Sequence, residues 1–330
     1  MKQILIIIKK YIYTLINKNN IIKMYEKKFE IKTKDRCNYV IEISPNDKNI
    51  FFSLNEQGYI FPIEDFISLD EKKINKIDNE KIQLFTLDDT ISNAKFTSDN
   101  KNIFISDQTK SIIKYNLEEN KFGEQTDKLN INIKNLKTWK FALNSEKGIM
   151  ATGGNNIFYY DYINNKVIKD IENKNKFIYS FCFLSNNKLA TGNSNGSIYI
   201  FDNETFNKEK IEEHCLLVRN LAFNNNKNIL YSASDDLHIN QIDINTLKLF
   251  SPMVGHKEPI SGMIYNNKKD ILVTSSFDGT IKIWDVKAKN NCIITLDSRN
   301  KNPIWDISIT QEGDFIAYTA TEGIGAFIFK

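Results

Sequence analysis

The chain has 330 residues, 41% of them hydrophobic and 12% aromatic, enough apolar surface for a large packed core, which excludes global disorder. Its 44 Lys and Arg nearly cancel its 41 Asp and Glu to leave +3, and no stretch concentrates basic residues, so direct nucleic-acid binding is not favoured. The length does not demand two domains, because all-β and repeat architectures run past roughly 200 residues as one.

Residues 1–22, MKQILIIIKKYIYTLINKNNII, are apolar but interrupted by Lys9 and Lys10. The uninterrupted run is too short to span a bilayer, and no small-residue cleavage site follows it. Residues 1–23 are therefore expected to be a disordered extension, with Met24 as an alternative start. A signal segment or interfacial anchor is the other reading. No membrane association is expected, and residues 24–330 are assigned to one domain. Cys37, Cys182, Cys215 and Cys292 lie far apart with no C-x-x-C, which argues against a zinc site and a disulfide framework and fits a reducing compartment. The sequons at Asn195 and Asn203 are read as chance.

Residues 25–31, YEKKFEI, alternate as a strand. Beyond them one unit recurs. Its best copy is ILVTSSFDGTIKIWDV, residues 271–286: a strand, a tight Asp-Gly turn and a second alternating strand, preceded by the strand ISGMIYN and the polar hairpin NKKD. The residue that ends the third strand is Glu64, Asn116, Asp161, Asp202, Asp243, Asp285 and Lys330 in successive copies, 41 to 52 residues apart. That is the period of a four-stranded propeller blade. The longest interval holds DEKKINKIDNEK, which reads as a charged surface loop. A fourth strand follows the anchor in the earlier copies, for example NKVIKDI, FNKEKIE, LKLFSPM and NCIITLD. The last copy ends without one, and an uncovered edge invites association. Residues 25–31 are expected to pair with that edge and close the ring. The expected fold is all-β: a seven-bladed β-propeller of four-stranded antiparallel blades, closed by an N-terminal strand pairing with the last blade.

These motifs resemble the WD-repeat (WD40) family over about residues 25–330. Gly255-His256 matches the family's GH and Trp284-Asp285 its WD. The resemblance implies a buried structural tetrad of His256, Ser276, Asp278 and Trp284, so His256 and Asp278 are read as core partners and not as a catalytic dyad. The fifth copy keeps His214, Ser234 and Asp236 but has Ile242 in place of Trp. From residue 136 the likeness narrows. LKTWKFALNSEKGIMATGG, NKFIYSFCFLSNNKLATGNSNGSIYIFDNET and VRNLAFNNNKNILYSASDD are similar to the small WD-repeat subunit of the superkiller complex, shared in animals with the RNA polymerase II-associated factor complex. This implies a subunit that binds a tetratricopeptide scaffold and an RNA helicase assembly in exosome-mediated mRNA decay, in the cytoplasm and also the nucleus. It also implies a top face that accepts a short Gln-Arg motif ending in an aromatic residue.

One position at the start of each first strand falls nearest the preceding inter-blade loop: Tyr39, Ser92, Trp139, Tyr179, Arg219, Ser261 and Trp305. Five of these are Tyr, Trp or Arg, the types that dominate binding hot spots, and in a propeller they would ring the channel mouth. The plainer alternative is packing between blades. Asp306 and Asp235 are candidates to receive a partner's arginine. For an enzyme the chain offers only His214, His238 and His256, with Gly153-Gly154 and Gly323-Ile324-Gly325 in turns and no H-E-x-x-H or G-x-S-x-G. No enzymatic activity, cofactor or metal is expected. Three readings stay open: a protein-interaction scaffold, a reader of modified peptides with a cage of Trp139, Tyr179 and Trp305, and a propeller tethered by residues 1–22.

Overall fold

The computed structural model describes residues 25–32, 40–67, 83–108, 112–117, 125–129, 139–173, 177–185, 187–212, 214–286, 291–298 and 301–329. The expectations for residues 1–23, Tyr39, the 70–81 insertion and Lys330 lie outside them. The described residues form seven four-stranded antiparallel sheets, six of them from strands consecutive in the chain. The inner strands, in blade order, are Ile41–Ile43, Ile91–Phe96, Lys140–Asn144, Ile178–Leu184, Val218–Asn224, Ile260–Asn266 and Ile304–Ile309. Each packs beside the next, and the last returns to the first, so the sheets close into a seven-bladed propeller.

Closure is made by strand pairing. The seventh blade has Ile304–Ile309, Phe315–Ala320 and Gly323–Phe329 from the end of the chain, and its outer strand is Tyr25–Lys32. Tyr25 lies opposite Phe329 and Lys32 opposite Gly323, antiparallel. The edge that the last copy left open is thus covered by its own chain.

The apolar core is divided into seven layers, one in each seam between neighbouring blades. Blades one and two share Phe51, Phe85, Ile91 and Ile105, for example, and blades seven and one share Phe315, Ile324, Ile41 and Phe61. Because each blade is sandwiched by two others, both faces of its middle strands are buried. This is why Ile229–Ser234 and Ile271–Ser276 read as nearly continuous apolar or small-residue runs and not as strict alternation.

The first blade departs from the expected pattern. Its third strand ends at Pro62, and Glu64 belongs instead to a short helix, Ile63–Ile67. Proline ends the ladder for want of an N–H, and Glu64 and Asp65 suit a helix's first turn. The helix drives Phe66 into the closing seam, edge-on to Phe315 at 6.3 Å between centroids.

The abundance of Asn has a structural use. Asn55, Asn100, Asn165, Asn187 and Asn228 all have φ between 53° and 61°, the left-handed turn conformation that Asn tolerates. Two of these turns, together with the turn at Asp47 (φ 57°), also stitch neighbouring blades on one face. The Asn46 amide donates to Asn100 Oδ1 at 3.0 Å, the Ser185 hydroxyl to Asn228 Oδ1 at 2.8 Å, and the Gln311 amide to Asp47 Oδ1 at 2.9 Å.

Candidate binding face at the channel mouth

The opposite face carries the inter-blade connections and the turns between second and third strands. In the sixth blade these are tied by a buried chain of side chains. His256 Nδ1 meets Asp278 Oδ2 at 3.0 Å, His256 Nε2 meets Thr274 Oγ1 at 2.8 Å, and Trp284 Nε1 donates to the same Thr274 oxygen at 2.9 Å. The expected hydroxyl, Ser276, is not in this chain. Ser276 and Thr274 share one face of the strand, two residues apart, but the imidazole reaches the deeper one. Ser276, at the strand end, donates to the Glu258 carbonyl and accepts from the Asp278 amide. The fifth blade repeats the correction: His214 bonds Asp236 and Ser232, while Ser234 serves the Leu216 carbonyl. Burial lowers the His256 pKa, so the ring is neutral at pH 7, with Nδ1–H toward Asp278 and Nε2 accepting from Thr274.

Six of the seven ring positions lie among the described residues, and all six line one central cavity of about 1070 Å³, measured out into its open mouth. Five of them share a backbone feature. Pairing between first and second strands skips Ser92, Tyr179, Arg219, Ser261 and Trp305, so each is the extra residue of a β-bulge. A bulge re-aims its side chain out of the pleat. In these five blades the bulge turns one residue toward the channel mouth, while the apolar residue before it, Ile91, Ile178, Val218, Ile260 or Ile304, stays buried in a seam. In the third blade Trp139 stands immediately before the strand that starts at Lys140.

Two aromatic groups form on this rim. Trp139 meets Tyr179 edge-on at 6.2 Å, and Tyr179 meets Phe177 at 4.9 Å. Across the fifth to seventh blades, Arg219 is forked onto Asp235, with Nη2 2.9 Å from Oδ2, and its guanidinium lies 5.3 Å from the centre of Phe277. Phe277 packs edge-on against Trp305 at 4.8 Å, and Trp305 Nε1 donates to Thr321 Oγ1 at 3.1 Å. The indole's polar group is thus directed inward and its half-buried rings present apolar surface. Asp235 is engaged by Arg219.

Below the rim sits a charged layer of which sequence reading named only Asp306. Lys95 Nζ meets Glu42 Oε2 at 2.5 Å, and Lys140 Nζ donates to Asn220 Oδ1 at 2.6 Å. Asp306 lies in this layer, where Oδ2 accepts from the Ile41 amide at 3.2 Å and Oδ1 from the Ile307 amide at 3.0 Å, linking the last blade to the first. These groups face the channel, Lys95 with 41% of its side chain exposed, yet protein surrounds them. Burial opposes the charge on each; at Lys95 the charge and hydrogen bond of Glu42 win and raise the ammonium, whereas at Asp306 and Cys182 burial wins. It pushes Asp306 up against the pull of Lys140 and Lys95, and pushes the nearby Cys182 thiol up to about 12. The signal in the sequence was a charged residue inside each of the short apolar runs VIEI, NAKF and WKFAL. Among the described residues no group of three or more His, Cys, Asp or Glu is placed to hold a metal ion, and no helix is long and apolar enough to cross a membrane.

Comparison with known proteins agrees with this architecture. Residues 246–285, spanning the GH and WD motifs of the sixth blade, match the family model of the WD domain, G-beta repeat. WD repeat-containing protein SL1-17 of Schistosoma mansoni is 31% identical over 119 residues, which is 35% of this chain and 39% of that protein. COMPASS component SWD3 of Saccharomyces cerevisiae is 26% identical over 127 residues, 36% of this chain and 39% of the relative. WD repeat-containing protein 55 of Danio rerio is 32% identical over 129 residues, 37% of this chain and 33% of the relative. The chain thus matches about 39% of the length of the first two relatives. The motifs, the relatives and the seven four-stranded blades together support the WD40 repeat family.

Proposed function

With a WD40 propeller as the premise, we propose that this chain is a non-enzymatic scaffold that docks short segments of protein partners at the channel mouth. The observation that carries this is the series of bulges, which turns Tyr179, Arg219 and Trp305 onto one rim and holds the arginine and the indole by Asp235 and Thr321. Rigid aromatic and guanidinium groups give contact area at low entropic cost. Among possible assemblies, the likeness of residues 136–236 to the superkiller WD subunit supports a bridging role beside a tetratricopeptide scaffold and an RNA helicase, in the cytoplasm and the nucleus. COMPASS component SWD3 is, by its name, itself a subunit of an assembly.

Affinity purification from native cells with wild-type and Trp305→Ala protein tests both levels. A large helical-repeat protein and a helicase should be recovered with the wild type. Trp305→Ala should stay folded, because the ring is half-exposed, and lose about 2 kcal/mol or more of partner affinity, roughly thirtyfold. Undiminished recovery by the soluble variant refutes the face. A peptide array separates this reading from a modified-peptide reader, which would require methylation of the bound lysine.

A further inference from the structure

Lys140 stands apart from the other cations of the channel. It reaches from the third blade to the fifth, and its Nζ donates to two neutral oxygens, Asn220 Oδ1 at 2.6 Å and the Arg219 carbonyl at 3.5 Å. Lys95 has Glu42 in contact and Arg219 has Asp235. Asp306 takes its hydrogen bonds from two backbone amides, and among the described residues no carboxylate makes an ion pair with Lys140. Burial brings Lys140 down to about 8, against the longer-range pull of Asp306 and with Lys95 and Arg219 adding repulsion. An enclosed ammonium held only by neutral acceptors is costly, and a contacting anion would offset that cost.

We propose that the channel takes one acidic side chain, an Asp or Glu of a partner's peptide, with its carboxylate set against Lys140 Nζ and the flanking residues held by the aromatic rim. This rests on the peptide-docking reading above and names the residue that enters. A monoanion matches Lys140, the channel cation that, among the described residues, lacks a contacting carboxylate. A phosphate dianion would have to break the Lys95–Glu42 or Arg219–Asp235 pair to be neutralised. An incoming Arg or Lys would meet three cations and carboxylates that are already engaged. The Gln-Arg motif implied by the narrower resemblance is therefore the opposing outcome.

The full chain is panned against a displayed library of random short peptides, and enriched peptides are measured by fluorescence anisotropy. The expected peptides carry Asp or Glu at one fixed position beside an aromatic residue. Changing that Glu to Gln, or Lys140→Met in the protein, should each weaken binding at least about tenfold, and the two together should cost little more than either. Lys140→Glu should restore binding to peptides with Lys at that position, which guards against a merely structural effect. A thermal melt of each variant confirms folding. Enriched peptides with Arg or Lys at the fixed position, bound through Trp305, overturn the acidic occupant and leave the docking face standing. An empty selection, or binding indifferent to both Lys140→Met and Trp305→Ala, overturns the occupant and the face together.

Discussion

Thr274→Val in the sixth blade removes one hydroxyl at nearly constant volume, and the structure sets what that hydroxyl holds. With His256 neutral, Thr274 donates to imidazole Nε2 and accepts from the Trp284 indole, both at under 3 Å in a site where His256 is 4% and Trp284 1% exposed. The substitution orphans both buried groups. Each costs about 1–3 kcal/mol, so the loss should be about 3 kcal/mol in total. Ser276→Ala, the hydroxyl suggested by sequence, removes bonds at the edge of a turn and should cost about 1 kcal/mol. The fourth blade supplies a control, because Thr191 occupies the equivalent position, buried and with no hydrogen-bond partner among the described residues. Thr191→Val should be neutral or stabilising by up to about 1 kcal/mol, since it removes a polar group that gains nothing from burial. Urea unfolding followed by circular dichroism orders the three. A larger loss for Ser276→Ala than for Thr274→Val, or equal losses at Thr274 and Thr191, would refute the assignment of the stabilisation to the His–Thr–Trp chain.

Acid should destabilise the propeller in two stages. His256 is held below its ordinary 6.5 by burial, so the unfolded chain binds a proton that the folded chain refuses, and stability falls as pH drops below about 6.5. For Asp236 burial acts upward, but the hydrogen bond and charge of His214 and the His238 and Cys215 amides win and bring it to about 2. Its contribution is complete above about 4 and lost as pH falls from there to about 2. Melting temperature against pH reads both stages, and His256→Gln should flatten the first. At the alkaline end, Lys140 is lowered from 10.5 to about 8, so stability should rise between those values as the buried charge disappears. Lys140→Met should abolish this rise and melt higher at pH 7. A chain lacking residues 1–32 loses the outer strand of the seventh blade and should self-associate through the bared Gly323–Phe329 edge, seen as oligomers by size-exclusion chromatography.

The blade count and the closing strand were legible in the chain because they rest on local and periodic signals. A strand–turn–strand unit, clearest around Asp278-Gly279, recurs every 41 to 52 residues, and the strand at residues 25–31 alternates as a partner for the last copy. The positions of the rim residues were legible for the same reason, since they share one place in the repeat. Their orientation was not. The bulges at Ser92, Tyr179, Arg219, Ser261 and Trp305 are properties of pairing between strands, and nothing in the residues themselves declares them.

Tertiary structure decided what lies between blades. Thr274 and Ser276 are indistinguishable by period, and only the reach of His256 across the turn selects the deeper hydroxyl. Glu42 and Lys95 are 53 residues apart, and Lys140 and Asn220 are 80 apart. These contacts exist because ring closure brings the inner strands around one axis, a geometry that no local pattern encodes. The chain by itself determined that there would be seven blades and a mouth ringed by aromatic and arginine side chains. The folded ring determined which charges meet inside it, because burial and enforced proximity, not residue type, leave Lys140 as the channel lysine, among the described residues, without a contacting carboxylate.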